Sequence, residues 1–210
     1  VTSAGLVIPI GDGTANVSAR TTNGLSSSIT VAVEQFSNVS PVNFPNQIVP
    51  IFTKGGCNGG GCPGNTSGQN GFRLSLRGYA PEWDHAWLTR EFAGRRVNPA
   101  NPDASLILRK PLGLAPHEGG KLFATGSREY QVLFDWIKAG APGPTKDDAR
   151  LRKLELRPGN RTLKPGETMQ LELRADYEGE PAKDVTWLTQ FVSGDASVAE
   201  VSPSGLVKML

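Results

Sequence analysis

Two cysteines, Cys57 and Cys62, stand alone in the chain and are separated only by Asn-Gly-Gly-Gly. A pair so close and so isolated has three chemical uses: a local disulfide, a dithiol, or attachment of a cofactor. Disulfide enzymes favour two intervening residues at a helix N-terminus, where one thiol pKa falls. Here four intervene, and no βαβ pattern surrounds them. Two cysteines and one distant histidine leave the tetrahedral set of a zinc site incomplete, so no metal is expected. Gly59-Gly-Gly-Cys lacks the Lys-Ser/Thr of a phosphate-binding loop. With no Ser/His/Asp order and no supported carboxylate pair, the sequence predicts no catalytic constellation and no enzyme.

The remaining candidates are bases, cations and aromatic rings. Of the two histidines, His85 lies between Asp84 and Trp87 on a predicted helix and reads as a surface or half-buried residue, whereas His117 lies in the loop Ala115-Pro-His-Glu-Gly-Gly. Arg95 and Arg96 are candidate anion contacts, since guanidinium makes paired bonds to sulfate or carboxylate; ion pairing with Glu91 or helix capping competes for them. Trp83, Trp87 and Trp136 offer faces for a sugar, although Trp136 has the spacing of a core residue.

These residues fall in the middle of the chain, about 41–145, which reads as helical. Tyr130, Leu133, Phe134 and Ile137 follow i, i+3, i+4, i+7, with Ser127 as N-cap and Gly140 as a stop before Pro142. Shorter helices are predicted over 47–54, 83–92 and 104–110, joined by Gly-rich connections, above all 55–71. Residues 1–36 and 150–210 read instead as strands and turns. Leu6-Val7-Ile8, Ala15–Ala19 and Ile29–Val33 are separated by Gly-Asp-Gly-Thr and Thr-Asn-Gly-Leu. Met169, Leu171, Leu173 and Ala175 alternate with Gln170, Glu172 and Arg174 as one long strand, followed by strands at Val185–Leu188 and Val198–Val201. The expected class is α+β and multi-domain, with a helical domain between two β segments.

A net charge of +2, from 22 basic and 20 acidic residues in 210, argues against a protein that coats nucleic acid. No apolar run is long enough to span a bilayer, and the first residues lack a signal-peptide pattern, so the chain reads as a mature protein or an excised fragment. Asn16, Asn38, Asn65 and Asn160 open glycosylation triplets, which are common by chance.

The β segments resemble the two halves of a bacterial Ig-like domain of the group-2 kind. The carboxy-terminal one carries the opening pattern, Leu163-Lys-Pro-Gly-Glu, Asp184-Val-Thr-Trp, Ser197-Val-Ala-Glu-Val and Ser204-Gly-Leu-Val. The amino-terminal one carries the closing pattern, Ser3-Ala-Gly-Leu-Val and Gly11-Asp-Gly-Thr-Ala-Asn-Val. Val1-Thr-Ser-Ala-Gly-Leu-Val matches Val201-Ser-Pro-Ser-Gly-Leu-Val, so one segment stops where the other starts. Neither half closes a sandwich alone, which implies a fragment of a longer protein, completion within the chain, or completion between neighbouring copies.

The middle resembles the cytochrome-c-like domains of large planctomycete surface proteins, through Phe52-Thr-Lys-Gly-Gly-Cys57, Cys62-Pro63-Gly64, Gly94-Arg-Arg-Val-Asn-Pro, Pro116-His-Glu-Gly-Gly-Lys and Trp136-Ile-Lys-Ala-Gly-Ala-Pro. In c-type cytochromes two cysteines form thioethers to haem and the histidine after the second ligates iron. Here Pro63 occupies that position, and proline has no side-chain donor. The resemblance therefore implies an extracytoplasmic structural or adhesive module, in periplasm or at the cell surface, with a degenerate haem site and no cofactor. In an oxidising compartment Cys57 and Cys62 are then expected to form a disulfide. The alternative is haem c held by both cysteines with His117 as axial ligand and Arg95 and Arg96 near the propionates, serving electron transfer or sensing. Expected partners are other domains of a larger surface protein, neighbouring copies, or cell-surface glycan, with neither nucleic acid nor a membrane span.

Overall fold

The computed structural model describes residues 1, 5, 7–34, 36–37 and 41–210. Most of the Ser3–Leu6 stretch and the Asn38 triplet lie outside the described residues. The chain divides into two compact units, Val1–Pro41 and Val42–Leu210.

In the first unit, strands β1 (Gly13–Arg20) and β2 (Ser26–Val33) form an antiparallel two-stranded sheet. Gly24 makes its turn, with a φ of +91° that favours glycine and its N–H donating to the Thr21 carbonyl. The register pairs Ala15 with Val31 and Val17 with Ile29, which collects the apolar side chains on one face. That face is open, and Ile29 is 62 % exposed. Val7 and Ile8, expected in a strand, are in none.

The second unit begins with a π-helical turn at Phe44–Ile48, capped by the Asn43 side chain, which accepts from the Asn46 N–H. Helix α1 (Val49–Lys54) continues it, followed by α2 (Pro81–Thr89), α3 (Leu106–Arg109) and α4 (Arg128–Lys138). The cap at Ser127 accepts the Tyr130 N–H, and Gly140, at φ +88°, ends the last turn. The buried side of α4 is centred on Leu133, Trp136 and Ile137, while Tyr130 and Phe134 are half-buried. Trp136 is fully buried, lies against Phe44 and donates its indole N–H to the Pro142 carbonyl, which withdraws it from any sugar-stacking role. Around it Phe44, Ile48, Leu88, Leu108, Leu133 and Ile137 form the core. Each such side chain contributes roughly 1.5–3 kcal/mol by leaving water.

The same unit continues into strands β3 (Leu151–Arg157), β4 (Thr168–Gln170), β5 (Glu172–Tyr177), β6 (Lys183–Asp184), β7 (Ala199–Val201) and β8 (Leu206–Met209). They form two antiparallel sheets, ordered β3-β5-β6 and β4-β8-β7. The long strand expected across 169–175 is broken at Leu171. Its N–H still bonds the Gly205 carbonyl beside β8, whereas from Glu172 onward the backbone pairs with β3. The strand expected at Val185–Leu188 is instead a 3₁₀ turn over Thr186–Leu188. The Thr186 hydroxyl accepts the Leu173 N–H, taking a position that a ladder carbonyl would otherwise fill.

Helical and β parts of this unit are tied together. Asn43 donates to Asp148, Asn46 to the Ala149 carbonyl and Lys54 to the Trp187 carbonyl, at 2.6–2.8 Å. Trp187 and Leu188 pack against the helical core. Among the described residues the chain is mixed α+β, with four α-helices and three small antiparallel sheets. No helix there is long and apolar enough to cross a membrane.

Candidate functional site

The cysteine loop leaves the end of α1. Cys57 N–H donates to the Phe52 carbonyl, and the chain then winds through successive turns, Gly59 onto Gly56, Cys62 onto Gly59, Asn65 onto Cys62 and Gly68 onto Asn65. Asn58 is buried at the centre of this winding. Its amide donates to the Thr53 hydroxyl at 2.8 Å, and its carbonyl accepts the Arg77 N–H. Gly64 passes so close that an added Cβ would stand 2.1 Å from the Asn58 carbonyl oxygen. The Pro63 carbonyl accepts the Leu74 N–H at 2.9 Å. The loop is thus held by its own backbone bonds, with glycine where the strands of the loop cross.

Cys57 and Cys62 are both free thiols in this structure, each half-buried. Burial, with Cys62 nearby adding to it, pushes the Cys57 thiol up to about 11. Such a thiol carries little thiolate at neutral pH and is a poor nucleophile, unlike the attacking cysteine of a redox enzyme.

The other expected residues lie apart from this loop. His117 is half-buried and donates its Nδ1–H to the Gly120 carbonyl at 3.1 Å, beside an open hollow of about 440 Å³ lined by Gly113–His117, Gly120 and Lys121. From the same segment Leu122 reaches the cysteine loop, its Cδ1 lying 3.1 Å from where a Cβ on Gly55 would stand. His85 is half-buried and gives its Nε2–H to the Ala141 carbonyl at 2.8 Å, with its ring edge-on to Phe44. Arg96 is only 8 % exposed. Its guanidinium donates to the Trp87 and Gly71 carbonyls, lies 3.6 Å from Glu91 and sits 4.5 Å from the Phe72 ring centre and 5.1 Å from that of Phe92. Arg96 is therefore an internal tie between loops, with Glu91 beside it as the competing ion-pair reading had it; Arg95 is exposed.

The chain's fit to a haem c is poor on its own geometry. Two sulfurs are present, but Pro63, directly after the second cysteine, brings no side-chain donor and its carbonyl is taken by the Leu74 N–H; His117, bonded through Nδ1, keeps Nε2 as its one donor. Among the described residues no three His, Cys, Asp or Glu side chains gather to hold a metal.

Sequence reasoning missed one buried site and, for the tryptophans it named as sugar faces, the cation beside them. Asp84 is buried, accepting the Ser75 N–H and, at 2.7 Å, the Ser75 hydroxyl, and burial raises its pKa despite these bonds. On α2, Trp83 and Trp87 stand with ring centres 6.1 Å apart and Arg73 lies 5.3 Å over the Trp87 ring. The i, i+4 spacing of the two tryptophans was the available signal; Arg73 comes from outside the helix. Compared with protein-family models, with curated proteins and with solved structures, this chain matches none.

Proposed function

We propose that the chain is an extracytoplasmic structural or adhesive surface module. In it a cytochrome-c-like helical domain keeps its fold without haem, and a Cys57–Cys62 disulfide closes its Gly-rich loop. The observation that carries this reading is the self-contained cysteine loop. The Pro63 carbonyl is bonded to Leu74, and Gly64 is pressed onto Asn58, so the protein's own backbone does the organising that a prosthetic group does in a c-type cytochrome. Asn-Gly-Gly-Gly between the cysteines gives the chain freedom to bring the sulfurs to bonding distance.

The β segments are read as incomplete Ig-like halves. Ile29 of β2 and, at about half exposure, Leu154 and Leu156 of the edge strand β3 remain in water. A sandwich would cover such side chains with further strands, and these are assigned to neighbouring domains or copies. No catalytic role is assigned.

Intact mass of the native protein, before and after reduction and alkylation, together with a visible spectrum, tests the reading. A colourless protein two hydrogens lighter than its sequence, alkylated only after reduction, supports it. A mass raised by one haem with a Soret band overturns it in favour of electron transfer or sensing, with His117 the first ligand to mutate.

A further inference from the structure

We propose that the outer face of α2 binds an acidic polysaccharide, one bearing carboxylate or sulfate groups. The inference deepens the adhesive reading above and rests on it for its setting. Three residues at helical spacing form the face, Trp83, Trp87 and Arg90 at i, i+4 and i+7. Asp84 and Leu88, both buried, anchor the side of the helix about 100° round from the tryptophans, which leaves Trp83 and Arg90 exposed and Trp87 half-buried. Trp83 is 65 % exposed, a large apolar surface to leave in water, whereas Trp136 of the same unit is fully buried.

The two indoles meet at 52°, with ring centres 6.1 Å apart, forming a shallow corner rather than a flat stack. An indole face suits the C–H face of a pyranose ring, which is apolar on one side and ringed with hydroxyls at its edge. Arg73, over Trp87 at 5.3 Å, and Arg90, at the end of the helix, flank the corner. Both are exposed, and neither has an ion-pair partner among the described residues, whereas Arg96 nearby is bonded inward. The guanidiniums present planar paired donors to a carboxylate or sulfate. Glu82 is the exposed acid on this helix and lies in its first turn, away from Arg90. Rings for the sugar body with cations at its edge match an acidic glycan better than a neutral one.

Native affinity electrophoresis of the full chain, in gels containing polygalacturonate, dextran sulfate, neutral dextran or polyphosphate, tests the proposal. Retardation by either acidic polysaccharide and not by dextran or polyphosphate is expected. Polygalacturonate alone would mark the carboxylate as the group bound, and dextran sulfate alone the sulfate. Trp83→Ala should weaken the retardation at least tenfold, and Arg73→Gln several-fold, with circular dichroism unchanged because both side chains are exposed. No retardation by either acidic polysaccharide would overturn the proposal, as would equal retardation by polyphosphate or retardation indifferent to Trp83→Ala. Mass and spectrum are read on the same preparation. A haem-free disulfide form that fails to bind overturns this inference alone, whereas a haem-loaded form that binds overturns the module reading alone.

Discussion

The Arg128 guanidinium lies 4.2 Å from the centre of the Trp187 ring, while Lys54 donates to the carbonyl of that same tryptophan at 2.6 Å. One residue from the β part is thereby held by a cation on α4 and another at the end of α1. Burial lowers the pKa of both Lys54 and Arg128, as expected of cations drawn from water into a junction. Trp187→Ala should destabilise the second unit by about 2–4 kcal/mol through lost packing and the lost ring–cation contact. Arg128→Ala should cost about 1 kcal/mol. In urea unfolding the double variant should be less destabilised than the sum of the two. Strict additivity would mean that the contact contributes nothing.

The Cys57 thiol, pushed up to about 11 from an ordinary 9, links redox state to pH. A raised folded pKa gives a contribution to stability that is complete below pH 9 and is lost as pH rises through about 11, because the buried thiolate is resisted. The reduced protein should therefore lose roughly 2 kcal/mol over that window relative to the disulfide form, which has no thiol to titrate. Iodoacetamide should modify Cys57 in the folded, reduced protein about a hundredfold more slowly than an ordinary cysteine at pH 8, following the thiolate fraction. Equal rates for the folded and urea-unfolded protein would contradict the burial of this thiol.

Much of the helical core is legible in sequence because its determinants are local. The cap at Ser127, the stop at Gly140 and the spacing through Ile137 all lie within one helix length. Elsewhere the deciding partner is remote. Arg96 reads as a surface cation until Phe72, 24 residues earlier in the chain, and the Gly71 carbonyl enclose it. Val185–Leu188 has the β-branched look of a strand, but the Thr186 hydroxyl takes the Leu173 N–H and turns the chain, carrying Trp187 onto the helical core. The alternation from Met169 to Ala175 is real, yet it does not reveal that the backbone changes sheets at Leu171. Of the candidate site, the cysteine pair is visible at once, whereas the placement of Arg73 over Trp87 depends on a loop crossing that no local pattern encodes.

Two glycines of the cysteine loop should respond in opposite ways. Gly64→Ala would place a Cβ 2.1 Å from a backbone oxygen of Asn58, and neither chain can yield without breaking the turn, so a loss of more than about 2 kcal/mol is expected. Gly60 has open space around it and a backbone conformation that any residue adopts. Gly60→Ala should be neutral or stabilise by up to about 1 kcal/mol by restricting the unfolded chain. Thermal unfolding of the two variants distinguishes a self-packed loop from one that is loosely held, for which both changes would be silent.

Asp84 joins α2 to the loop before it, since its carboxylate accepts from Ser75 twice and the Ser75 hydroxyl in turn accepts the Ala80 N–H at 2.9 Å. Asp84→Ala leaves the half-buried Ser75 donors without their partner and should cost about 1–2 kcal/mol. Burial raises the carboxyl pKa in the fold, so this group's contribution is fully present below its ordinary value near 3.8 and declines as pH rises through the raised one. Asp84→Asn keeps the shape and one acceptor but cannot titrate. The stability of wild type relative to Asp84→Asn should therefore fall as pH is raised from 4 to 7, measured by urea unfolding at each pH. A difference that instead grows with pH would mean that the two Ser75 bonds outweigh desolvation and hold the carboxylate ionised.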